Sequence, residues 1–208
     1  MPKAFASEPH HIARIALDKG DRWEYFLACE LIRDRLNRLD VKFGELNSGF
    51  IVQRTKFLPA RDTMVFIQSL LGDFTNVLQA ATQVLSEQLT PAFGPTGKPG
   101  DAEKIKAACD NLYGLFLSLY EWELDIRFVR PHEAFEDIFP KMQGWTSEML
   151  DEFRRIPIEF DRLLADDELS GQHSIQLTIK APSNLHELAK IIQEMPNDPR
   201  AIAALNDG

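Results

Sequence analysis

The stretch DRWEYFLACELIRDRLNRLDVKFGEL, residues 21–46, decides the class of fold. Apolar residues recur at Trp23, Phe26, Leu27, Leu31, Ile32, Leu36, Leu39 and Phe43, which is the spacing of one helical face. Arg33, Asp34, Arg35 and Arg38 fall on the opposite side. Asp21 followed three residues later by Glu24 reads as an N-cap with its capping-box partner, and Asn47-Ser48-Gly49 as the stop.

Three more segments repeat this pattern. Asp62, after Pro59, is the expected cap of a second helix, and from Met64 an apolar series runs through Phe66, Leu70, Leu71, Phe74, Val77, Leu78, Ala81, Val84, Leu85 and Leu89 with little charge, predicting a helix buried on more than one side. Residues 90–100, TPAFGPTGKPG, carry three Pro and three Gly and read as the clearest loop. Asp101 then caps a helix carrying Ile105, Ala108, Cys109, Leu112, Phe116, Leu119, Tyr120, Leu124 and Phe128, which Pro131 stops. Residues 133–165 give a fourth helical region that Pro140, Gly144 and Pro157 each break or bend.

Beyond the polar turn 165–168 the period changes. Ser174-Ile175-Gln176-Leu177-Thr178-Ile179-Lys180 alternates with period two, as a half-buried strand does. Pro182 ends it, and Asn184 with Glu187 caps a closing helix through about Met195. A lone strand leaves its backbone groups unpaired, so it needs a partner. The chain's own 50–57 segment is the favoured one, and a strand from a second subunit is the alternative.

The expected fold is therefore mainly α. It is an antiparallel four-helix bundle with a bent fourth helix and a small C-terminal strand–helix appendage. The expected division is a mobile tail over 1–20, a helical body over 21–168 and the appendage over 169–208.

Composition agrees and excludes several classes. The 208 residues are 44% apolar and 26% charged, enough to bury one good core and too apolar for a disordered chain. Acidic residues outnumber basic ones 32 to 23, a net charge of −9 that argues against a general phosphate-backbone binder. The N-terminus lacks the apolar run of a secretory signal, and no stretch is long and apolar enough to span a membrane. Cys29 and Cys109 are too few for a disulfide framework or a four-ligand zinc site, and read as buried core thiols in a reducing, cytoplasmic setting.

Arg127-Phe128-Val129-Arg130-Pro131-His132 stands where the third helix gives way to the fourth. This Arg–His spacing resembles the active-site motif of HEPN-type ribonucleases, helical proteins that dimerise so that two motifs face one cleft. The resemblance implies a metal-independent ribonuclease in which His132 serves as general acid/base and Arg127 steadies the phosphate. Phe128 stands where that family commonly has a polar residue, and Pro131 interrupts the spacing. On the residues alone, the same stretch reads as a polar corner with Arg127 and Arg130 facing the helix dipole.

Other constellations fall short of chemistry. Glu121, Glu123, Asp125, His132, Glu133, Glu136 and Asp137 cluster in sequence, yet the only Glu-x-x-His is Glu8 to His11, so no metal site and no cofactor is expected. Gly97-Lys98 lacks both the earlier Gly and the following Ser or Thr of a phosphate-binding loop. Trp23, Trp122 and Trp145 lie in helical patterns, as core or interface residues do.

Charge is uneven. Residues 133–168 hold 11 acidic and 4 basic side chains, a net −7 of the total −9. The reading these features favour is a non-catalytic protein-interaction module of the adaptor, regulatory or immunity type, with a protein partner and a homodimer left open. Its docking residues would be Glu133, Glu136, Asp137, Glu148, Asp151 and Glu152, together with Ile175, Leu177 and Ile179 of the strand. A ribonuclease dimer and a helical binder of a small apolar ligand are the alternatives.

Overall fold

A computed structural model describes residues 11–18, 22–49, 54–93, 99–165 and 174–195. The protein is mainly helical. Strand β1 (His11–Asp18) and helix α1 (Arg22–Asn47) are followed by β2 (Lys56–Phe57) and α2 (Ala60–Gln83). A π-helical stretch, Val84–Leu89, runs into the short turn α3 (Thr90–Ala92). Then come α4 (Ala102–Arg127), β3 (Val129–Arg130), a 3₁₀ turn (Glu133–Phe135), α5 (Phe139–Met142), α6 (Trp145–Ala165), β4 (Ser174–Lys180) and α7 (Leu185–Glu194).

Helix α1 packs against α4 and α6, and α4 also against α2. The face of α1 that is buried is Tyr25, Ala28, Cys29, Ile32, Leu36 and Leu39. Trp23 and Phe26, expected on that stripe, are 41% and 60% exposed, because Tyr25 and Ala28 lead the buried row. Two aromatic groups fill the interior. Tyr25 meets Phe93 and Phe160 at ring-centre distances of 4.8 and 5.5 Å. Phe74 meets both Trp122 and Trp145 at 5.1 Å, and the two indoles stack 6.0 Å apart at 14°.

Capping went partly as expected. The Asp101 carboxylate accepts from the Glu103 and Lys104 amides at 3.1 and 3.2 Å, satisfying two free donors of α4. Asp62 lies inside the first turn of α2, and Pro59 holds the cap position without a side-chain bond. Glu24 is fully buried and accepts from the backbone N–H of Gly100, tying the first turn of α1 to the start of α4. A Cβ on Gly100 would overlap both the Glu24 carboxylate and the Ala92 carbonyl, so that position needs glycine. Asn184 caps α7 without a side-chain bond; its amide oxygen takes the Trp145 indole N–H at 2.6 Å and its amide N–H the Lys141 carbonyl at 2.8 Å.

The loop expected over 90–100 starts later than its composition suggested. Helix continues through Ala92 because the π-helical stretch re-aims Leu89, Ala92 and Phe93 into the core, where all three are buried. Both the backbone N–H and the hydroxyl of Thr90 go to the Leu85 carbonyl, the hydroxyl at 2.9 Å. In the fourth region the break falls at Gly144, whose φ of +93° is a backbone state that favours glycine. Pro157 does not interrupt α6. It is buried, and its carbonyl lies 3.5 Å from the Cys29 thiol that donates to it.

Strand pairing corrects the expectation. β4 pairs antiparallel with β1, setting Ala13, Ile15 and Leu17 opposite Ile179, Leu177 and Ile175. Residues 11–18 are thus a strand and not a tail, and the alternating apolar positions of the two strands come into register. The 50–57 segment finds a different partner: Lys56 and Phe57 pair parallel with Val129 and Arg130. Lys56 N–H donates to the Phe128 carbonyl at 2.9 Å and Leu58 N–H to that of Arg130 at 3.1 Å. The expected cap Asp21 and residues 50–53, 94–98, 166–173 and 196–208 lie outside the described residues.

Candidate functional site

The turn from α4 to α6 carries His132, Glu133, Glu136 and Asp137. It begins at β3, is held to the start of α2 by the β2–β3 pair, and descends through the 3₁₀ turn and α5. His132 N–H donates to the Thr63 hydroxyl at 3.0 Å, and the His132 Nδ1 accepts from the Ala134 amide at 3.2 Å. Its ring is thereby engaged as the cap of the 3₁₀ turn. Arg127 points elsewhere: its Nε donates to Glu123 one turn back on α4 at 2.7 Å.

The acidic segment divides. Glu133, Glu136 and Asp137 are exposed and, among the described residues, have no ion-pair partner. The members on α6 are engaged internally. Glu148 accepts from the Ser183 amide at 3.2 Å and Glu152 from the Lys180 amide at 3.0 Å, so both hold the β4–α7 connection to α6. Glu152 also pairs with Arg155, and Asp151 with Arg154, at 2.7 and 2.8 Å. Ile179 is buried, 2% exposed, and belongs to the core rather than to a docking surface. Ile175 and Leu177 lie within β4 opposite Leu17 and Ile15.

Beside the free carboxylates stand free cations that sequence reasoning did not group. Arg54, Lys56, Arg61 and Arg130 are exposed, and none forms an ion pair among the described residues. Between them Phe57 is 79% exposed, the most exposed of the large apolar side chains described. The signal was available in pieces: RTKFLPAR carries Arg54, Lys56 and Arg61 and VRPH carries Arg130, but Arg61 and Arg130 are 69 positions apart. Only the β2–β3 pairing brings them together.

A cleft of about 670 Å³ opens on the other side of this turn, between the second half of α1, the end of α4 and the beginning of α6. Arg127 lines it with Glu123, Asp40 and Arg154, and Phe43 and Leu150 add apolar surface. His132 is not among its lining residues. Arg154 reaches across to Asp40 on α1 as well as to Asp151. A smaller recess of about 300 Å³ holds Asp73, Glu121 and Asp125. Burial first, then the charges of Glu121 and Asp73, push the Asp125 carboxyl above its ordinary range. Among the described residues no group of three or more His, Cys, Asp or Glu is arranged to hold a metal ion.

The thiols are poor nucleophiles. Burial, joined by the hydrogen bond to Asp161, pushes Cys29 up to about 12, and burial pushes Cys109 to about 12 as well. Both are about 1% exposed. No described helix is long and apolar enough to cross a membrane. No family model, no curated protein and no solved structure matches this chain.

Proposed function

We propose that this chain is a non-catalytic protein-interaction module, an antiparallel four-helix bundle that docks a protein partner in the cytoplasm through its α4–α6 corner. The observation that carries this reading is the free state of Glu133, Glu136 and Asp137, which are exposed and without ion pairs among the described residues. Carboxylates that hold no intramolecular contact contribute little to folding, while they set the field that an oncoming partner meets. The adjoining Arg54, Lys56, Arg61 and Arg130, with the exposed Phe57, supply the second charge sign and an aromatic anchor. The favoured partner therefore carries a basic patch beside an acidic one, with an apolar recess between them. A second copy of this chain meets the charge requirement, so a homodimer is one form of the same reading.

The test neutralises the trio. The tagged wild-type protein is expected to retain a stoichiometric partner from its native lysate, or to sediment as a dimer, at low salt. The Glu133→Gln, Glu136→Gln, Asp137→Asn variant is expected to lose that partner while its stability stays within about 0.5 kcal/mol of wild type. A monomer that recovers nothing, or a variant that retains its partner unchanged, defeats the reading.

A further inference from the structure

We infer that the docking corner is its own complement: a second copy of this chain packs on it about a two-fold axis, with the two Phe57 rings at the centre and the cations of each copy against the carboxylates of the other. The inference rests on the interaction reading above and names the partner that reading left open.

Charge at the corner is balanced. Arg54, Lys56, Arg61 and Arg130 are exposed and hold no ion pair among the described residues. The trio Glu133, Glu136 and Asp137 is in the same state, and Asp62 beside Arg61 adds a fourth exposed carboxylate without an ion pair. The positive and negative charges cancel, so the corner is neutral while the chain as a whole carries −9. Two copies therefore repel each other through the rest of their surfaces and not through this corner. A second copy also brings as many unmatched cations as there are unmatched carboxylates to receive them, and the reverse, so neither sign is left over.

The two signs are also sorted. Three of the cations stand on or beside β2 and in the first turn of α2, whereas the trio belongs to the 3₁₀ turn and the residues after it. The β2–β3 pair holds these two sides together, as does the hydrogen bond of 3.0 Å from His132 N–H to the Thr63 hydroxyl. A two-fold axis sets the basic side of one copy against the acidic side of the other and repeats the same contact in reverse. A patch of one sign would repel its own copy; a patch divided into two signs attracts it twice.

The centre is apolar. Phe57 is 79% exposed, and its register opposite Arg130 sets the two side chains on the same face of the β2–β3 pair. Among the described residues no aromatic ring or cation lies against the Phe57 ring. Val65, 54% exposed, stands one helical turn beyond Arg61 on α2. An uncovered aromatic anchor within a rim of free charges has the anatomy of an interface whose other half is absent.

The purified chain is followed by sedimentation equilibrium over a concentration series, and a reversible dimer is expected. Arg61→Glu with Arg130→Glu, and separately Glu133→Lys with Glu136→Lys, are each expected to raise the dimer dissociation constant at least about tenfold, because like charges then face each other. Mixed in equal amounts, the two variants are expected to pair with each other at least as tightly as wild type pairs with itself, a rescue that misfolded chains do not give. Phe57→Ser changes no charge and is expected to raise the constant at least about fivefold. The inference is overturned if the wild type stays monomeric at every concentration, if either charge variant dimerises as wild type does, or if their mixture stays monomeric. A monomeric wild type that loses a lysate partner when the trio is neutralised overturns the second copy as occupant and leaves the interaction reading standing. A monomeric wild type that instead pellets with phosphatidylserine vesicles gives the corner to a membrane surface and overturns the second copy as well.

Discussion

Glu133, Glu136 and Asp137 differ from Glu148, Glu152 and Asp161 in nothing that composition records, yet the two sets stand in opposite surroundings. The α6 set is engaged: Glu148 and Glu152 take backbone amides of the β4–α7 connection, and Asp161 pairs with Arg33 and accepts the Cys29 thiol across to α1. The corner set touches no cation among the described residues. A run of like charge is therefore not one surface. Carboxylates that meet a donor within about 3 Å stiffen the fold, and those that do not stay exposed to solvent.

The largest break in this contrast comes at Trp145, which opens α6 and sits under the engaged half. It is fully buried, stacks on Trp122, touches Phe74, and donates to Asn184 beyond β4. Trp145→Ala is expected to cost about 3–5 kcal/mol in urea unfolding. It should also loosen hydrogen-exchange protection over Leu185–Glu194 ahead of the rest of the chain. A loss below about 1 kcal/mol would mean that α6 and α7 are not coupled through this indole.

Next in size is Glu152→Ala. It strips the acceptor from the Lys180 amide and the partner from Arg155, for an expected loss of about 1 kcal/mol with faster exchange of the Lys180 amide. An unchanged stability would place Glu152 with the corner set and erase the distinction.

The smallest effect sharpens the comparison through pH. The Arg33 guanidinium, and after it the Cys29 thiol, hold the Asp161 carboxyl below its ordinary range. A depressed folded-state pKa contributes stability that is present above the unfolded pKa and is lost as pH falls through the folded one. Asp161→Asn should therefore be less stable than wild type at neutral pH, by under about 1 kcal/mol because the pair is exposed, and equal to it in strong acid. A gap that persists unchanged below the carboxylate range would show that the ion pair is not its source. The corner variant sets the zero of this scale.

Much of the fold could be read locally. The limits of α1 and α4, the Asp101 cap, the break at Gly144 and the burial of both cysteines follow from periodicity and backbone chemistry within a few residues. Partner choice could not. Asn184 carries the signature of an N-cap and bonds to Trp145. The candidate sites were less legible still. Arg127 stood out in the sequence only beside His132, but the cleft it lines is assembled from α1, α4 and α6 and does not include His132. The basic corner likewise joins Arg54, Lys56 and Arg61 to Arg130 through the β2–β3 pair alone.

By itself, then, the sequence determined that the chain is mainly helical and where α1 and α4 begin and end, because those depend on side-chain spacing and on backbone groups a few residues apart. Tertiary structure alone decided that β4 pairs with residues 11–18, that Trp23 and Phe26 stay exposed, and which carboxylates are engaged. The physical reason is range. A hydrogen bond or ion pair is settled by what stands about 3 Å away, and between distant segments only the folded chain sets that distance.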